Sequence, residues 1–158
     1  AVAALRRMEA EGLRPDVRAY ARVLAVLAQA ADGLGAVRPA YLRRRQAASA
    51  SAGAGGRPCS EEEAVERWYV TGAGMVAEMR ERGTRRNAVL YNTLLHLCAK
   101  AAAISPSGLD WVAEAEGILD AMHADAVPYN HVTLNTFLDA CGHAATPHRP
   151  GHRPPAPP

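Results

Sequence analysis

Three methionines constrain this chain more than any other feature. Met8, Met79 and Met122 each close a stripe of apolar residues at helical spacing, and each is followed, after the same eight-residue interval, by Asp16, Asn87 or Asn130, where a new helical pattern opens. The intervening turns, EAEGLRPD, RERGTRRN and HADAVPYN, carry the Gly and Pro residues that end helices. The stripes before the turns are Ala1, Ala4, Leu5, Met8; Gly72, Met75, Val76, Met79; and Ala115, Ile118, Leu119, Met122. Those after them are Tyr20, Val23, Leu24, Leu27; Tyr91, Leu94, Leu95, Cys98; and Leu134, Phe137, Leu138, Cys141. All six follow i, i+3, i+4, i+7, one face of an amphipathic helix. Helices of one kind (B) precede the turns and helices of the other (A) follow them, in the order B-A-B-A-B-A. Neither kind can bury its face alone, so the pattern predicts an all-α fold, an α-solenoid of stacked antiparallel helical hairpins.

The register divides the chain. Residues 1–16 form the second helix of a truncated repeat, 17–87 one repeat, 88–130 another, and 131–144 the first helix of a further one. The unit 17–87 is long because of an insertion at about 33–58, rich in Gly, Ala, Ser and Arg. With so few large apolar residues it cannot offset the entropy of ordering, and a disordered loop inside one hairpin is expected. Ser60 and Glu63 then form a capping box that restarts the helix. The unit 88–130 carries a shorter insertion at about 102–109, where ISPSG breaks the helix and Ser107 or Asp110 can cap the next. The Pro-rich tail, 145–158, is expected to be disordered and extended. The chain opens at Ala1 inside a helical stripe, so a targeting segment and further repeats are expected outside it.

Charge excludes a uniformly basic surface. Seven of the eighteen Lys and Arg lie in residues 33–60 and in the tail from 143, both free of acids, which leaves eleven bases against all sixteen acids elsewhere, a net of −5. A nucleic-acid site would therefore be a local stripe. The first helices hold Arg18, Arg22 and Lys100 against Asp139. Helix B of the last full repeat holds Asp110, Glu114, Glu116, Asp120 and Asp125 without a base, which turns helix A toward a polyanion and helix B toward solvent. Cys59, Cys98 and Cys141 form no CxxC pair, which argues against a zinc ribbon or a disulfide framework. Cys141, His143, His148 and His152 fit no zinc-ligand spacing. No apolar run approaches the roughly 18 residues of a membrane span.

YNTLLHLCAKA at 91–101, LNTFLDACGHA at 134–144, EAEGILDAM at 114–122 and MEAEGLRPD at 8–16 resemble the pentatricopeptide-repeat family, whose helix A reads like YNTLLxxCxKAG and whose helix B ends like EMxxxGxxPD. The Trp, Leu-Gly and Tyr pattern of the tetratricopeptide repeat, a peptide-binding scaffold, is missing. The resemblance covers nearly everything except the insertion and the tail. It implies sequence-selective binding of single-stranded RNA in chloroplast or mitochondrion, in RNA processing, stability or translation, with other RNA-processing proteins as further partners, no cofactor and no enzymatic activity in this chain.

The resemblance also implies where RNA is read. One base per repeat is met by a residue near the start of helix A, here Ala21, Asn92 or Asn135, and by the last residue of the repeat, Asp16, Asn87 or Asn130. Arg18, Val89 and Val132 fall at the position that packs against the base. Asn92 with Asn130 forms the one complete pair, implying a pyrimidine, cytosine more than uracil, between Val89 and Val132. Asparagine also caps or hydrates helix starts without any ligand. Trp68 and Trp111 read as core or hairpin packing, with base stacking as the alternative for either if exposed. No HExxH, GxSxG or P-loop motif is present. The alternative reading is a helical-repeat scaffold that binds protein and has no RNA role.

Overall fold

The computed structural model describes residues 2–35, 60–105 and 109–145. The disordered insertion expected at about 33–58 therefore falls, from 36 onward, outside the described residues, as do Ser107 and the tail from 146. Among the described residues there are six α-helices and no strand: α1 (Val2–Ala10), α2 (Val17–Gly35), α3 (Glu61–Glu81), α4 (Ala88–Ile104), α5 (Trp111–Ala124) and α6 (His131–Ala145). No helix among them is long and apolar enough to cross a membrane.

Side-chain caps set where these helices begin. Asp16 Oδ1 accepts the Ala19 amide at 2.8 Å, Asn87 Oδ1 the Leu90 amide at 3.0 Å, Asp110 Oδ1 the Ala113 amide at 3.1 Å and Asn130 Oδ1 the Thr133 amide at 2.9 Å. Ser60 and Glu63 exchange both bonds of a capping box, at 3.1 and 3.2 Å. Each bond satisfies an amide that the helix itself leaves unpaired.

The turns end the B helices identically. Leu13, Thr84 and Val127 each donate a backbone N–H at 2.9 Å to the carbonyl of Met8, Met79 or Met122. The residue before each, Gly12, Gly83 and Ala126, takes a left-handed backbone with φ of 77°, 64° and 53°. This is the Schellman closure of a helix, and it favours glycine because a Cβ is strained there. Ala126 holds the conformation without that relief. Ala126→Gly is expected to stabilise the chain by about 1 kcal/mol in urea unfolding.

Packing follows the stripes. Helix α4 is central, touching α2, α3, α5 and α6; α3 also packs on α2, and α5 on α6. Tyr20, Val23, Leu24 and Leu27 are buried, as are Gly72, Met75, Val76 and Met79, and Tyr91, Leu94, Leu95 and Cys98. In α3, Gly72 is the point of closest approach: a Cβ there would stand 2.8 Å from Leu24 Cδ2 and 3.2 Å from Leu94 Cδ1. The stripe of α6 departs from expectation. Leu134 and Leu138 are exposed while Phe137 and Cys141 are half-buried, because no described helix packs on that face as α3 and α5 pack on α4.

Two helix ends also differ from the expected boundaries. Helix α2 continues through Gly35, beyond the expected start of the insertion near 33, and α4 continues to Ile104, beyond 102. Near its C-terminal end α2 carries Asp32. Its carboxylate meets Lys100 Nζ at 3.0 Å and His96 Nε2 at 3.1 Å.

Candidate nucleic-acid interface

Asn92, on the second turn of α4, and Asn130, at the cap of α6, come together. Asn92 Nδ2 donates to Asn130 Oδ1 at 3.4 Å, a long contact that alone would hold little. Thr133 supplies the stronger tether. Its hydroxyl lies 2.7 Å from Asn92 Oδ1 and 3.1 Å from Asn130 Oδ1. A hydroxyl has one proton, and Asn130 Oδ1 already receives the Thr133 amide, so the shorter bond to Asn92 takes it. The same hydroxyl accepts the Asn130 backbone N–H at 3.3 Å. Thr133 is fully buried; it therefore fixes the Asn92 side chain from beneath while Asn130 stays exposed.

Sequence reasoning passes over Thr133 because the apolar pattern assigns it no face. The signal that could have found it is the spacing of Asn130 and Thr133, the same i, i+3 separation as in a capping box. The local fold thus gives the residues that end the three turns a structural task. Asp16, Asn87 and Asn130 all cap with Oδ1, and Asn130 Nδ2 has no hydrogen-bond partner among the described residues. That donor is what the pair offers outward.

The remaining sequence-derived positions are placed as follows. Val89 is 66% and Val132 44% exposed. Each lies two residues beyond the cap of its own helix, beside the Asn92–Asn130 pair in register. Arg18 and Asn135 are exposed, and Asn87 is an exposed cap. Ala21 is half-buried against the core and presents only a methyl group, so Ala21 and Asn87 do not form a polar pair as Asn92 and Asn130 do. For Asn135 no described residue occupies the partner position.

No family model matches this chain, and no curated protein matches it.

Charge around the pair is more neutral than the sequence suggests. Lys100, counted as a base on the A face, is bound to Asp32. Asp125, counted as a solvated acid of helix B, instead accepts both the Arg86 guanidinium and the Tyr91 hydroxyl. The Arg86 and Asp125 side chains are only 11% and 10% exposed. The guanidinium bonds hold the Asp125 carboxyl at about 2, and burial with the adjacent carboxylate pushes the Tyr91 hydroxyl up to about 12. A related contact lies one turn earlier, where Arg82 Nη1 meets Glu9 at 2.6 Å and the Tyr20 hydroxyl at 3.0 Å.

Cys98 is buried, with its thiol pushed up to about 12 by desolvation and its sulfur 3.7 Å from the Trp111 carbonyl oxygen. A thiol so protonated is a poor nucleophile and metal ligand. No group of His, Cys, Asp and Glu suited to a metal occurs among the described residues, and His148 and His152 lie outside them.

Proposed function

We propose that this chain binds single-stranded RNA sequence-selectively as part of an α-solenoid of the pentatricopeptide-repeat kind, in organellar RNA processing, stability or translation. The observation that supports it most is the tethered pair of Asn92 and Asn130, flanked by exposed Val89 and Val132. The outward amide N–H of the pair presents a donor to the acceptors of a base edge, and aliphatic side chains on either side can stack against its faces. Pre-organisation by Thr133 lowers the ordering cost of binding. Recurrence of the Met carbonyl bond and the left-handed residue at three turns supports repeats of one kind.

Binding of short RNAs that vary in one central base tests this reading. Asn92→Ala suits the purpose because it spares the Asn130 cap. The parent is expected to prefer a pyrimidine, and the variant to lose about tenfold in affinity for it, the worth of one hydrogen-bonded contact, while its binding of other bases hardly changes. Absence of RNA binding at low salt, with uptake of an extended peptide, would instead establish the protein-binding scaffold.

A further inference from the structure

Two open clefts follow one another along the edge where B helices turn into A helices. One, about 450 Å³, lies between Glu9, Arg14 and Pro15 of the first turn and Arg82 and Thr84 of the second. The other, about 480 Å³, lies between Arg85, Arg86 and Asn87 of the second turn and Asp125 and Pro128 of the third, with Val17 on its border. In each cleft an acid is matched by an arginine from the facing turn, Glu9 by Arg82 and Asp125 by Arg86. Each cleft then holds one arginine more. Arg14 and Arg85 occupy the same place in their turns, both are exposed, and neither has an ion-pair or hydrogen-bond partner among the described residues.

The nearby acids are engaged. Glu11 pairs with Arg7 at 3.2 Å, and Asp16 accepts the Ala19 amide at 2.8 Å. Among the lining side chains, Glu9, Arg14 and Arg82 in the first cleft and Arg85, Arg86 and Asp125 in the second each sum to one positive charge, and the positions recur with the repeat. The second cleft ends on Asn87 and Ala88, and Asn92 lies about 6 Å further along the same helix at 1.5 Å per residue. A group bound at Arg85 is thus close to a base at Asn92.

We propose that Arg14 and Arg85 bind the phosphates of consecutive nucleotides of single-stranded RNA, while the asparagine pair reads the base. This rests on the RNA-binding reading above. Phosphate contacts carry no sequence information and set register and affinity, so their removal has a signature distinct from loss of base readout.

The test measures binding of labelled oligo(C) and oligo(U) to the 158-residue chain and to its Arg14→Gln, Arg85→Gln double variant across a salt series. Circular dichroism checks that the fold is kept, as exposed, unpaired residues require. Each phosphate contact contributes roughly 0.7 to the slope of log affinity on log salt, so the slope should fall by about 1.4. Affinity for both oligomers should drop by a common factor of about ten, and Arg14→Lys, Arg85→Lys should restore the slope. An unchanged slope overturns the proposal and leaves the RNA reading standing. A loss much larger for one oligomer also overturns it, since the arginines would then act on bases. If the parent chain binds neither oligomer at low salt, the RNA reading itself fails and this inference falls with it.

Discussion

Trp111→Ala is expected to remove about 4 kcal/mol of stability, the largest effect of any single substitution considered for this chain. Trp111 opens α5, is 2% exposed, and joins three helices. Its indole N–H donates to the Ser105 carbonyl at 2.6 Å, at the end of α4. Its ring meets that of Tyr69, on α3, edge to face with centroids 5.3 Å apart. Ser105 in turn donates its hydroxyl to Glu66, and Tyr69 donates to Glu114 at 2.7 Å. Truncation therefore leaves a cavity and also leaves the Ser105 carbonyl without its buried partner. Urea unfolding followed by circular dichroism measures the loss. A cost under 1 kcal/mol would mean that the three helices are held without this hub. Trp111→Phe helps to separate the two contributions, since it removes the hydrogen bond while keeping most of the volume.

Asp125→Asn should cost about 3 kcal/mol, because it leaves the Arg86 guanidinium largely buried without its counter-charge. The same pair predicts a pH dependence. The folded Asp125 carboxyl lies at about 2 against an ordinary 3.8. A depressed carboxylate contributes its stabilisation in full above the unfolded value and loses it as pH falls from about 4 toward about 2. The parent chain should accordingly weaken through that window in acid titrations of unfolding, and the asparagine variant should show a shallower fall. Equal slopes for the two proteins would sink the assignment. The Tyr91 hydroxyl acts at the alkaline end: raised from 10.0 to about 12, its contribution to the folded chain is present below pH 10 and is lost as pH climbs toward about 12.

Much of the local architecture was readable before any coordinates. Apolar residues at i, i+3, i+4 and i+7 locate all six helices, because a helix that must bury one face writes that period into its sequence. The capping box of Ser60 and Glu63 was equally legible, since it links residues within one turn. The family resemblance, laid on that register, implied Asn92 and Asn130 as partners. It could not foresee that Asn130 would spend its carbonyl oxygen on a cap, or that buried Thr133 would hold Asn92 in place.

The charge reading fared differently, for a physical reason. Lys100 and Asp125 were counted by helix, as though each faced solvent or ligand. Their partners, Asp32 and Arg86, are distant in sequence and adjacent only once hairpins stack. The exposed Leu134 and Leu138 make the complementary point: a stripe declares that a face is apolar, and only a packed neighbour makes it buried.

The sequence by itself therefore determined the helices, their alternation, the common register of the three turns and the caps at Ser60 and Asp110, since all of these depend on interactions within a few residues. Tertiary structure decided the rest: the closeness of α3 to Leu24 and Leu94 at Gly72, the Arg86–Asp125–Tyr91 staple, and the bridge from Thr133 to Asn92 across 41 residues. Spacing along a chain encodes which face of a helix is apolar, whereas the side chains that meet across two helices are chosen by how the hairpins pack.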